Sequence, residues 1–104
     1  MNQTKSSAKV AIADDHRLIA ESLSHLINDS REFEVVLLAN NGRVLLDALK
    51  NGKEEPDICI LDINMPIMNA VETAREITHQ FPGIKLLALS MNDDEASVIQ
   101  MIKA

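Results

Sequence analysis

Apolar residues fall along this chain in two kinds of stretch. The runs "KVAIA" at 9–13, "FEVVLLA" at 33–39, "DICILD" at 57–62 and "IKLLALS" at 84–90 are short and nearly continuous, as in strands buried on both faces. Between them the apolar positions recur at helical spacing. Ile19, Leu23, Leu26 and Ile27 predict one apolar face for a helix over 17–28, and Val44, Leu45, Ala48 and Leu49 predict a short helix after the turn "NNG". Asn69 and Glu72 have the spacing of an N-cap and its reciprocal partner. They predict a helix through His79, with Ala70, Ala74, Ile77 and Phe81 on one face and "PG" as its stop. Asn92 and Glu95 repeat the spacing before a last helix carrying Val98, Ile99 and Ile102.

Four β-α pairs in strict alternation predict an α/β fold with an open parallel sheet and helices on both faces. A closed eightfold barrel would need roughly 250 residues, well beyond the 104 present. Residues 1–8 are read as an N-terminal tail and 9–104 as one domain.

Three of the strands end on polar residues, and this is where chemistry enters. Strand one ends in Asp14 and Asp15, strand three in Asp62, strand four in Ser90. Parallel strands in an open α/β sheet end at one edge, where ligands bind. With neighbouring strands about 4.8 Å apart, these side chains form a carboxylate triad beside a hydroxyl. Two carboxylates about 4 Å apart repel by on the order of 4 kcal/mol at an effective dielectric near 20, so a proton or a cation must join them. No histidine or second cysteine is expected to complete a transition-metal set, and the hard oxygen ligands fit Mg²⁺ best. A carboxylate beside Mg²⁺ can attack phosphorus, and Asp62, alone on its strand, is the natural nucleophile. The competing reading is three solvated loop aspartates capping the helices that follow.

Composition narrows the partners. The net charge is −6 and no basic cluster is dense enough for a phosphate backbone, so direct nucleic-acid binding is not expected. No apolar run approaches the roughly 20 residues of a membrane span, and the N-terminus lacks the apolar stretch of a signal peptide. The single cysteine, Cys59, lies inside an apolar run and reads as a buried, reduced thiol suited to the cytosol. His16, His25 and His79 read as solvated surface residues.

"IADDHRLIAESLSHLI", "DICILDINMPIMNA" and "LLALSMNDDEASVIQMIKA" together resemble the receiver domain of two-component response regulators, in particular the NarL/FixJ (LuxR-type) group. The resemblance implies a flavodoxin-like fold of strand order 2-1-3-4-5, of which this sequence carries four βα units in the order 2-1-3-4. It implies phosphoryl transfer from a sensor histidine kinase to Asp62, with Mg²⁺ held by Asp15, by Asp14 through water, by Asp62 and by the backbone carbonyl of Asn64. Ser90 matches the switch hydroxyl, Met91 the position lining access to the acyl phosphate, and Pro66 a rigid turn. The implied output is transcriptional, through a DNA-binding domain outside this chain. The sequence departs from the family at Ala70, where glycine is usual, so the turn there either avoids positive φ or bears strain. It also stops before the segment that supplies the family's lysine, and Lys103 belongs by periodicity to the last helix.

Two functions of different class follow. One is a phosphorylation-dependent signalling receiver, whose only catalysis is Mg²⁺-dependent transfer to itself and dephosphorylation. The other is a phosphorylation-independent interaction module. With four units, strand four is expected to form an edge that pairs with a second copy in a homodimer. A free-standing hydrolase is disfavoured because no general base or substrate loop is evident.

Overall fold

The computed structural model describes residues 8–52, 55–63 and 65–89. Four strands and three helices alternate: β1 (Ala8–Ala13), α1 (Arg17–Asp29), β2 (Phe33–Ala39), α2 (Gly42–Asn51), β3 (Ile58–Asp62), α3 (Ala70–Gln80) and β4 (Lys85–Leu89). The expected boundaries hold within one residue at most ends. Strand three begins at Ile58 rather than Asp57, yet Asp57 still stitches the sheet. Its N–H donates to the Lys9 carbonyl at 2.7 Å, its carboxylate accepts from the Lys9 N–H at 2.7 Å, and its carbonyl accepts from the Lys85 N–H at 2.9 Å.

The strands form one parallel sheet in the order β2-β1-β3-β4, as expected, with a bulge in the β1–β2 pairing after Val10. Side chains alternate across the pleat, so both faces are buried. Val10, Ile12 and Ile60 pack with Ala20 of α1, while Ala11, Ala13, Cys59 and Leu61 pack under α2 and α3. Cys59 is the buried thiol foreseen, and desolvation pushes its pKa up to about 12.

Helix faces depart from expectation by about one residue. Leu26 is 70% exposed instead of buried. Ala20, Leu23 and Ile27 take the inner positions of α1, and Leu26 falls outside that face. In α2, Leu46 is buried and Val44 is turned outward. In α3, Thr73 joins Ala70 and Ile77 in the buried face, its hydroxyl donating to the Asn69 carbonyl at 2.7 Å.

The capping box at Asn69 and Glu72 is present in both directions. Asn41 caps α2 by accepting from the Val44 N–H, so Gly42 of the expected turn is the first helical residue. The last helix, with Asn92, Glu95, Val98, Ile99 and Ile102, lies outside the described residues, as does the tail apart from Ala8.

Candidate functional site

The carboxyl ends of β1 and β3 adjoin through direct pairing of Ala13 with Leu61. Asp14 and Asp62 are therefore brought together at one sheet edge, and both are buried, at 4% and 2% exposure. Burial to this degree rules out solvated loop aspartates for these two. Asp15 stands further out, its side chain 35% exposed.

His16 is exposed at the surface, as expected, but sequence reasoning missed its partners. Its ring directs Nδ1 among three carboxylates, 2.9 Å from Asp14 Oδ1, 3.3 Å from Asp15 Oδ1 and 3.5 Å from Asp62 Oδ2. The cause is local. Asp14 Oδ1 also accepts the His16 backbone N–H at 2.8 Å, closing a tight turn that carries the ring back over the strand end. His16 opens α1 as its N-cap without a side-chain cap bond, so the ring is free to turn inward. Its pKa is raised, first by the hydrogen bond to Asp14 and then by the charges of Asp15, Asp14 and Asp62, with partial desolvation opposing. The signal available in the sequence was "DDH" itself, a third polar residue directly after the acid pair.

One ligand atom from each of Asp14, Asp15, His16 and Asp62 lies within 4.8 Å of all the others. Three carboxylates so close form a donor set that can hold a divalent cation, and the imidazolium meets the same electrostatic demand in part. Asn64 and Ser90, the other expected members, lie outside the described residues, as do Met91 and Lys103.

The loop from β3 to α3 carries backbone strain, but not at Ala70. Positive φ among the described non-glycine residues occurs only at Arg31 and at Ile67, where φ is 69°. The Met68 N–H donates to the Pro66 carbonyl at 2.6 Å, closing a three-residue turn around Ile67. For a β-branched residue this conformation costs on the order of 1–3 kcal/mol. Ala70 thus avoids positive φ, the first of the two outcomes expected for it, and the positive φ of this loop lies at Ile67.

No helix among the described residues is long and apolar enough to cross a membrane. The family model for the response regulator receiver domain matches residues 10–104. The transcriptional regulatory protein DegU of Brevibacillus brevis is 36% identical over 95 residues, covering 91% of this chain and 39% of the relative. The oxygen regulatory protein NreC of Staphylococcus epidermidis is 35% identical over 98 residues, covering 92% of this chain and 44% of the relative. The chain therefore spans less than half the length of these curated relatives. Among solved structures, the receiver domain of the putative response regulator NarL from Mycobacterium tuberculosis superposes with a TM-score of 0.80 at 27% identity, covering 95% of this chain and 78% of that one. The paired acids ending β1, the buried aspartate ending β3, the sheet order and these matches agree, and the chain belongs to the response regulator receiver domain family.

Proposed function

We propose that the chain is a phosphorylation-dependent switch that accepts a phosphoryl group on Asp62 from the phosphohistidine of a sensor histidine kinase. The observation that carries this is the convergence of Asp14, Asp15 and Asp62 at the carboxyl edge of the sheet, with Asp62 almost fully buried on an inner strand. A carboxylate on rigid backbone, held apart from bulk water, is oriented for in-line attack. Its oxygen would bond to phosphorus as the P–N bond breaks, with the electron pair and a proton going to the departing imidazole.

Asp14, Asp15 and Asp62, with the carbonyl of Asn64, would hold Mg²⁺, whose part is to neutralise charge on the transferring group. Ser90 would supply the hydroxyl that turns toward the phosphoryl group. The added charge biases neighbouring loops between two arrangements and so acts on an output, transcriptional as for the relatives. The chemistry is phosphotransfer to and loss from Asp62, with no separate substrate. A kinase donor and a buried, reduced Cys59 suit the cytoplasm.

The test is phosphoramidate with Mg²⁺, read by intact-protein mass spectrometry. One phosphoryl group is expected, lost with chelator and lost in Asp62→Asn. Labelling that survives Asp62→Asn would move the site elsewhere. Mg²⁺ binding without labelling would favour the phosphorylation-independent interaction module.

A further inference from the structure

Oxygen donors alone select a hard cation, and on the carboxylates by themselves Mg²⁺ is the ion that fits. The fold adds a nitrogen to them. Among the described residues, the one place where three or more metal-ligating side chains converge is Asp14, Asp15, His16 and Asp62, with one ligand atom of each within 4.8 Å of all the others. The His16 atom is Nδ1, at 2.9 Å from Asp14 Oδ1, 3.3 Å from Asp15 Oδ1 and 3.5 Å from Asp62 Oδ2. An ion bound at about 2.1 Å spaces adjacent ligands about 3.0 Å apart in an octahedron and about 3.4 Å apart in a tetrahedron. The three separations run across that interval, so this ring and these oxygens are spaced as ligands of a single small ion.

The donors are also held in place. The Asp14 oxygen that faces Nδ1 accepts the His16 backbone N–H at 2.8 Å, and the ring closes onto that same oxygen. A nitrogen and an oxygen donor therefore stand in a fixed relation within one turn, which lowers the ordering cost of binding. Asp62 reaches them through the pairing of β1 with β3 and is 2% exposed, so its carboxylate has little freedom either. A proton on Nδ1 and a metal ion compete for the same lone pair. When the ion wins, the imidazole gives that proton to solvent, keeps the one on Nε2 and binds as a neutral ligand.

Imidazole is a poor ligand for Mg²⁺ and a good one for Zn²⁺, which takes four N and O ligands in a tetrahedron. We propose that His16 is a metal ligand through Nδ1, and that with Asp14, Asp15 and Asp62 it makes this site select Zn²⁺ over Mg²⁺. A divalent ion on the carboxylates belongs to the function already proposed; the nitrogen ligand and the change of ion are additional. The two ions differ in consequence. Mg²⁺ keeps exchangeable waters that a phosphoryl oxygen can replace, whereas a tetrahedral ion with four protein ligands has no open position. Zn²⁺ is thus an inhibitor of phosphoryl transfer here, a consequence that rests on Asp62 being the phosphoacceptor.

The first measurement is on the wild type, whose histidine side-chain nitrogens are followed by NMR during titration with Zn²⁺ and with Mg²⁺. Zn²⁺ is expected to fix the His16 ring with its proton on Nε2 and its Nδ1 metal-bound, whereas Mg²⁺ produces no metal-bound nitrogen. His16→Gln assigns the ring. Affinities come next, for Zn²⁺ by competition with a chromophoric chelator and for Mg²⁺ by calorimetry. Zn²⁺ should bind the wild type at least about 100-fold more tightly than Mg²⁺. His16→Gln should weaken Zn²⁺ about 10–100-fold and change Mg²⁺ less than about threefold. His25→Gln, exposed on α1, should change neither. With phosphoramidate and Mg²⁺ present, saturating Zn²⁺ should lower wild-type labelling at least about tenfold.

A wild type that binds Zn²⁺ without a metal-bound His16 nitrogen overturns the proposal, and so does an affinity for Zn²⁺ no higher than that for Mg²⁺. Equal weakening of both ions in a folded His16→Gln, checked by circular dichroism, also overturns it, since the ring would then support the cluster without binding the ion. An equal loss in His25→Gln would place the ion elsewhere. If His16→Gln does not fold, His25→Gln and His79→Gln assign the remaining ring and the wild-type spectrum decides. Labelling unchanged under saturating Zn²⁺ would show that Asp62 is not held by the ion, against the proposal. Absence of labelling with Mg²⁺ alone would instead bring down the phosphoacceptor reading, while the ion measurements still decide the role of His16.

Discussion

Removing the charge of Asp62 should stabilise the metal-free protein. Asp14, Asp15 and Asp62 have ligand atoms within 4.8 Å of one another. At an effective dielectric of about 20, each pair of unit charges repels by at least about 3.5 kcal/mol. Asp62→Asn deletes two of the three pairs, a gross gain of about 7 kcal/mol. Several terms reduce it. Asp15 is more than a third exposed and its share is screened, and the His16 ring lies 3.5 Å from Asp62. A net gain of about 1–3 kcal/mol is expected near pH 8.5 with chelator present. Near pH 5.5 His16 is protonated, and its attraction for Asp62 at 3.5 Å, screened because the ring is exposed, reduces the gain. Asp14 is the wrong residue for this test, because its carboxylate also holds the His16 backbone N–H. The assay is urea unfolding followed by circular dichroism at both pH values. Saturating Mg²⁺ should reverse the order, since a ligand at 100 times its Kd adds about 2.7 kcal/mol to the wild type. A variant less stable than wild type in chelator near pH 8.5 would refute the electrostatic account and make Asp62 a structural anchor.

His16→Gln should cost metal-free stability in one pH window. The folded pKa of His16 is raised, chiefly by Asp14, so its contribution is full below the unfolded value of about 6.5 and is lost as pH rises through the folded value. The stability difference between wild type and His16→Gln in chelator should therefore shrink from about pH 5.5 to pH 8.5, and a constant difference would contradict the ring's placement. Gly42→Ala should destabilise by about 1–3 kcal/mol, measured by the same unfolding. The new Cβ would overlap Thr73 Oγ1 and approach the Met68 carbonyl oxygen at 2.9 Å. Adding Thr73→Ala should recover part of the loss, because it relieves the hydroxyl and leaves the backbone contact; strict additivity would show that the two helices can shift apart.

The elements of this protein are set by its sequence because their causes are local. Continuous apolar runs made β1 to β4 legible, and the reciprocal cap of Asn69 and Glu72 located the start of α3 almost to the residue. Strands this apolar must be covered on both faces, which left a parallel sheet as the solution, and strand ends then pointed to Asp14, Asp15 and Asp62. Tertiary structure decided what periodicity cannot. A repeat of 3.6 residues leaves a helix's rotation uncertain by about a residue, so only packing could choose Ala20 over Leu26, Leu46 over Val44 and Thr73 as a core member. Only packing could add Asp62 to the two neighbouring carboxylates around the His16 ring, because it arrives through the pairing of strands 48 residues apart in sequence, Ala13 beside Leu61. The burial of Asp62, and with it the cost of its charge, exists for the same reason: the chain supplies the carboxylate, and the sheet with its helices removes the water around it.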